Sequence, residues 1–157
     1  MEKKFPPVPN SICRIISMGS NPEVSNRLSQ MGIIPGLEVT IVRVGPLGDP
    51  LELSFVSGQN IALRSGEFQS LECEIIAIPL VAVDPGPGIY RIQKLQGGMG
   101  YQRKMIDRGL VVGAKFRVQE KHPFRVCLLP DGPCAVIGRG EAQKLLLESL
   151  VKDVDQT

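Results

Sequence analysis

The sequence contains no tryptophan, and aromatic residues of all kinds make up 4% of its 157 residues. Any core must therefore be aliphatic, and the rows of aromatics that stack single-stranded nucleic acid are missing. Histidine occurs once, at position 122, which leaves little for a histidine-based metal centre or proton relay. Neither a phosphate-cradling GxxxxGK(S/T) loop nor a GxSxG nucleophile motif is present, so composition and motif together argue against an enzyme. The longest apolar run, Ile75 to Val83, is broken by Pro79 and falls short of the roughly 20 residues that a membrane-spanning helix requires. The opening MEKKFPPVPN has Lys3 and Lys4 but no apolar stretch behind them, unlike a secretion signal, and a soluble cytoplasmic chain is predicted. Cys13, Cys73, Cys127 and Cys134 form no CxxC pair and sit mostly in apolar sequence. They are expected to be free thiols acting as small hydrophobes, without a disulfide framework.

Glycine and proline, by contrast, are plentiful, with 17 and 13 residues, which favours many short elements joined by turns and so a β-rich chain. These turn residues repeat. Arg14, Ile15, Gly32, Gly36 and Ile41 correspond to Arg91, Ile92, Gly109, Gly113 and Val118 at a constant offset of 77. Further on, Gly58, Gly66 and Glu67 correspond to Gly132, Gly140 and Glu141 at an offset of 74, so the second copy has lost three residues from one loop. A duplicated module is the reading, with domains at 11–83 and 89–157, each small for a core of its own.

Each copy predicts the same order of elements. Val24, Leu28 and Met31 share one face of a short helix that starts at Asn21-Pro22, a cap followed by the favoured first-turn proline. Gly32 ends it, because glycine takes the left-handed conformation without a Cβ penalty. Ile33 and Ile34 are expected to fall back onto the core, and Pro35-Gly36 to turn the chain into a strand from Leu37. Leu37, Val39 and Ile41 alternate with polar residues, as do Leu51, Leu53 and Phe55, which marks half-buried strands on either side of the VGPLGDP hairpin. IALR and Leu71 to Ile75 supply further strands, and Ile12 to Ser17 an opening one. GGMG at 97–100 is read as the start of the second copy's helix. KLLLESLVK at 144–152 has helical propensity, but the repeat makes it the last strand. The predicted fold is mainly β: two tandem small SH3-like barrels, each with one short α-helix.

The run from Leu28 through MGIIPG, the hairpin GPLGDPLEL and IALR to Glu67 resembles the FeoA domain, the small cytosolic component of bacterial ferrous-iron uptake. Leu28, Met31, Gly32, Pro35, Gly36, Gly45 to Pro50, Ala62, Leu63, Arg64 and Glu67 carry the likeness. Copy two follows in outline only, with KHPF in place of the GPLGDP hairpin and Arg108 where Met31 stands. The resemblance implies an SH3-like barrel without catalytic residues. It also implies a docking or regulatory role toward the cytosolic part of the FeoB permease. Partner contact is assigned to Arg27, Leu28, Met31, Pro46, Leu47 and Asp49 on the helix and hairpin.

Other chemistry ranks lower. His122, Cys127 and Cys134 lie near one hairpin of copy two, and iron transport draws attention to them as Fe²⁺ ligands in a transition-metal sensor. The sulfurs are seven positions apart across a turn, however, and make no convincing ligand set for ferrous iron; no metal site and no cofactor are assigned. Residues 11–88 hold four basic and eight acidic residues, a net −4, and residues 89–157 hold twelve and seven, a net +5. Such opposite charges suit packing between the domains or self-association. Arg103, Lys104, Arg108, Lys115 and Arg117 make copy two the place where a nucleic-acid-binding barrel would have to make its phosphate contacts.

Overall fold

The structure, a computed structural model, describes residues 8–150. The chain divides into two compact units, one ending at Ile76 and the other beginning at Ala77. No helix among the described residues is long and apolar enough to cross a membrane.

Unit one runs β1 (Ile12–Ser17), α1 (Pro22–Gln30), β2 (Glu38–Val44), β3 (Leu51–Phe55), β4 (Asn60–Leu63), α2 (Ser65–Gln69) and β5 (Glu72–Pro79), whose last residues open the next unit. Unit two continues with β6 (Tyr90–Leu95), α3 (Met99–Asp107), β7 (Lys115–Glu120), β8 (Phe124–Leu128), β9 (Cys134–Ile137), α4 (Arg139–Ala142) and β10 (Leu145–Ser149). Strand order is β4-β3-β2-β1-β5 in the first and β9-β8-β7-β6-β10 in the second. Both units are thus the same SH3-like, mainly β module, with hydrogen-bonded ladders that do not close on themselves.

The duplication extends to individual bonds. Gly36 N–H donates to Ile15 O at 2.7 Å, and Gly113 N–H to Ile92 O at 2.9 Å. Ile33 N–H reaches back to Leu28 O at 3.0 Å, and Leu110 N–H to Met105 O at 2.9 Å. All four glycines of the corner have positive φ: Gly32 95°, Gly36 90°, Gly109 80° and Gly113 94°. A β-bulge follows Ile41 in one unit and Val118 in the other. The helix-to-strand corner is therefore a conformation that both sequences preserve through glycine, since other residues resist the left-handed region.

Alternation sets the strands' inner faces. Leu51, Leu53 and Phe55 are buried while Glu52 and Ser54 face outward, and Leu28 on α1 is fully buried among them. In unit two, Met105 takes the place of Leu28, against Phe116, Val118 and Leu110. Within KLLLESL, Leu145–Ser149 form strand β10 as the repeat requires, with Leu145, Leu146 and Leu147 all buried; positions 151 and 152 lie outside the described residues. SGEF forms a second short helix, α2, which Phe68 anchors in the core.

Two expectations are corrected. Ile34 is 54% exposed, although Ile33 is buried. Ile33 is tied back to Leu28 O and joins the core, whereas Ile34 opens a turn in which Leu37 N–H donates to its carbonyl at 3.3 Å and its side chain is left outside. Cys127 and Cys134 are not free buried thiols but a disulfide. They stand directly opposite each other in the β8–β9 ladder with Cα atoms 4.0 Å apart, a register that sequence spacing does not give away. Cys13 and Cys73 are free, Cys13 fully buried.

Candidate functional site

The hairpin between β2 and β3 is built to hold one apolar side chain in solvent. Gly45 N–H donates to Pro50 O at 2.8 Å, closing the neck, and Gly48 N–H donates to Gly45 O at 3.0 Å, tightening the tip. A Cβ on Gly45 would lie 2.4 Å from Asp49 O, so only glycine fits the neck. Pro46–Gly48 make a single tight turn in which Leu47 has φ 59° and is 105% exposed. A left-handed leucine is costly without the surrounding turn to impose it. Pro46 and Asp49 are also exposed.

The short helix α2 ties this hairpin to α1. Ser65 N–H, at the start of α2, donates to Asp49 Oδ1 at 2.8 Å. Two residues on, Glu67 accepts from Arg64 N–H through Oε1 at 3.0 Å and pairs through Oε2 with Arg27 Nε at 3.2 Å. Glu67 is mostly buried and Arg27 mostly exposed, so the guanidinium still presents an outer edge. α1 itself starts at Asn21, whose Oδ1 accepts from Glu23 N–H at 3.0 Å, relieving free helix donors.

The six residues assigned to partner contact therefore fall into two groups. Arg27, Pro46, Leu47 and Asp49 are exposed, and the Asp49–Ser65 and Arg27–Glu67 contacts brace hairpin and helix against α2. Leu28 is fully buried and Met31 partly so, packed against the core, so what they supply is the position of α1. Ser65 and Glu67, which make these bracing contacts, are residues that the sequence did not single out as members of the candidate site. Glu67 was visible as an identity of the repeat, Ser65 was not. At the base of the hairpin, Arg43, Gly45, Pro50, Glu52, Asn60, Ile61 and Ala62 line an open cavity of about 390 Å³.

Unit two keeps the brace and loses the hairpin. Glu141 accepts from Gly138 N–H at 3.1 Å and pairs with Arg108 at 3.0 Å and Lys104 at 3.7 Å. The Arg108 hydrogen bond, helped by that of Gly138 N–H, holds its carboxyl below the usual carboxylate range. Tyr101 adds a hydrogen bond to Glu141 O at 2.9 Å. The β7–β8 connection is only Lys121 to Pro123, and His122 lines a small cavity with Val81, Lys121, Pro123, Phe124 and Arg139. His122 thus lies on a different cavity from the Cys127–Cys134 disulfide. Among the described residues no three His, Cys, Asp or Glu side chains are grouped to hold a metal. Of the five basic residues considered for phosphate contact, Lys104 and Arg108 are tied to Glu141.

Comparison with known proteins matches the FeoA domain twice, over residues 8–75 and 78–149. Among solved structures, the chain is similar to iron(II) transport protein A from Clostridium thermocellum. Identity is 32%, over 93% of this chain and 86% of that one, with a TM-score of 0.48. It is also similar to an iron uptake regulatory protein (FeoA), at 26% identity over 48% of this chain and 99% of that one, TM-score 0.43. A FeoA-like protein from Clostridium acetobutylicum shares 28% over 44% of this chain and 79% of its own, TM-score 0.41. No curated protein matches the chain. Since the two family matches together take in nearly all of the described residues, the chain belongs to the FeoA family, with two FeoA domains in tandem.

Proposed function

We propose that this chain is a non-enzymatic accessory protein of ferrous-iron uptake in the cytoplasm, docking through unit one onto the cytosolic part of a FeoB-type permease. Membership of the FeoA family supports the process. The observation that carries the docking surface is Leu47, a leucine held wholly in solvent at the tip of a braced hairpin. Exposing an apolar side chain gains a monomer nothing, and a protruding tip of this kind suits insertion into a partner's pocket. Arg27 and Asp49 flank it with charges of opposite sign, which set orientation more than strength. Unit two, lacking the hairpin, serves as a diverged scaffold or second contact.

The test is calorimetric titration of the full chain with the permease's cytosolic domain. Leu47→Asp is expected to weaken binding by about 30-fold, the loss of a hot-spot residue worth about 2 kcal/mol. Asp49→Ala is expected to weaken it less, by freeing the hairpin from Ser65. Unchanged affinity in both variants removes the hairpin from the proposal, and no binding by the wild-type chain removes the permease.

A further inference from the structure

The outer face of the β7–β8–β9 ladder carries an arrangement that docking does not use. Arg117 on β7 stands opposite Cys127 on β8, and Cys127 stands opposite Cys134 on β9. The two cysteines are joined, Cys134 is exposed and Cys127 partly so. All three residues line one open cavity of about 590 Å³, bounded on its other side by the loop through Leu129, Pro130 and Asp131. Its size lies within the range of about 300–1,000 Å³ common for small-molecule sites.

Unit one shows what this ladder needs in order to form. There the same three positions are Thr40, Ser54 and Asn60, paired in the same register with no covalent link. Neither the bridge nor the cation is therefore required by the module. Unit two has gained both together, on a solvent-facing surface beside a cavity, whereas a bridge that only stabilises is commonly sheltered from exchange.

We propose that Cys127–Cys134 is a thiol-exchange site for a low-molecular-weight thiol, with Cys134 as the attacked sulfur and Arg117 as a positioning residue for the leaving one. The incoming thiolate bonds to Cys134 Sγ while the protein S–S bond breaks, and the electron pair departs on Cys127 Sγ. Arg117, across the ladder, stabilises that thiolate. A second thiolate then attacks the non-protein sulfur of the mixed disulfide, releasing Cys134 as a thiolate and forming the small-molecule disulfide. Both protein thiolates take up protons from water. In balance, one protein disulfide and two thiols give two protein thiols and one small disulfide, and the reverse reaction closes the bridge. Opening it frees residues 128–133 from their covalent clasp and reshapes the cavity wall.

The experiment uses the full native chain with reduced glutathione as the probe, alkylation of free thiols and peptide mass spectrometry. Millimolar glutathione is expected to expose Cys127 and Cys134 together while the far-ultraviolet circular dichroism is unchanged. Cys127→Ser restores the serine of unit one at that position, and with oxidised glutathione it should accumulate a mixed disulfide on Cys134. Arg117→Gln is expected to slow opening by about threefold or more, and Arg117→Lys to restore most of the rate. A bridge that opens only in denaturant overturns the proposal, as does a Cys127→Ser chain that takes up no adduct. Equal rates for Arg117→Gln and wild type overturn the role of Arg117.

Discussion

One carboxylate in each unit fastens the longer helix to the short one that follows the β-ladder. Glu67 does so with Arg27, and Glu141 with Arg108 and Lys104. Their identity is readable in the repeat, but their partners are not, because each contact joins residues some 30 to 40 positions apart whose approach depends on how the helices pack. Glu141 has a measurable signature. Arg108 holds its folded-state carboxyl below the ordinary value of about 4.3. Stability from this carboxylate is therefore present above that ordinary value and is lost as pH falls through the lower, folded one. Urea unfolding followed at several pH values should show the wild-type midpoint dropping as pH falls below the ordinary carboxylate range. Glu141→Gln is expected to lose about 2 kcal/mol at neutral pH, the usual worth of a charged hydrogen bond, and to show a flatter acid limb.

At the scale of elements, the sequence was most legible where a local cause decides the outcome. Asn21-Pro22 begins α1 because a side-chain oxygen and a donor-free proline both suit a helix start, and the structure places the cap bond there. The same logic makes α1 vulnerable: Asn21→Ala should destabilise unit one by about 1 kcal/mol, seen as faster amide exchange in α1. Gly98 opens α3 without a side-chain bond to lose. Strand β10 needed the repeat, because consecutive buried leucines mark a strand covered on both faces and equally a buried helix. What stayed illegible was register. Cys127 and Cys134 are a facing pair by virtue of the β8–β9 pairing, and a slip of one residue would send their side chains to opposite faces. Ile34 escaped for a related reason, since which member of the Ile33-Ile34 pair meets the core depends on the turn that follows and not on its apolar character.

For the whole molecule, the two offsets in the sequence, 77 and then 74, have a physical location. The corner and the bulge after Ile41 and Val118 keep the first offset, while Gly58 and Gly132, past the hairpin, keep the second. The register pairs Ile41 with Leu53 but Val118 with Val126, so the β2–β3 connection, which carries Leu47 in unit one and is a bare Lys121–Pro123 turn in unit two, has lost four residues, and one gained between β8 and β9 leaves the net loss of three. Duplication has therefore kept the scaffold and removed the projecting tip from one copy. Opposite net charges, −4 for residues 11–88 and +5 for 89–157, further separate the surfaces that the two copies can offer. If docking belongs to the tip and not to the module as such, the two turns must respond differently to the same insult. His122→Asp, at the turn that replaces the hairpin, should leave affinity for the permease's cytosolic domain within about twofold of wild type. Leu47→Asp should lower it by about 30-fold, and the melting temperature should be nearly unchanged in both, because surface substitutions outside packed positions are worth about 0.5 kcal/mol or less. Equal losses from the two substitutions would mean that partner contact is spread over both units, and the asymmetry between the hairpins would then have another cause.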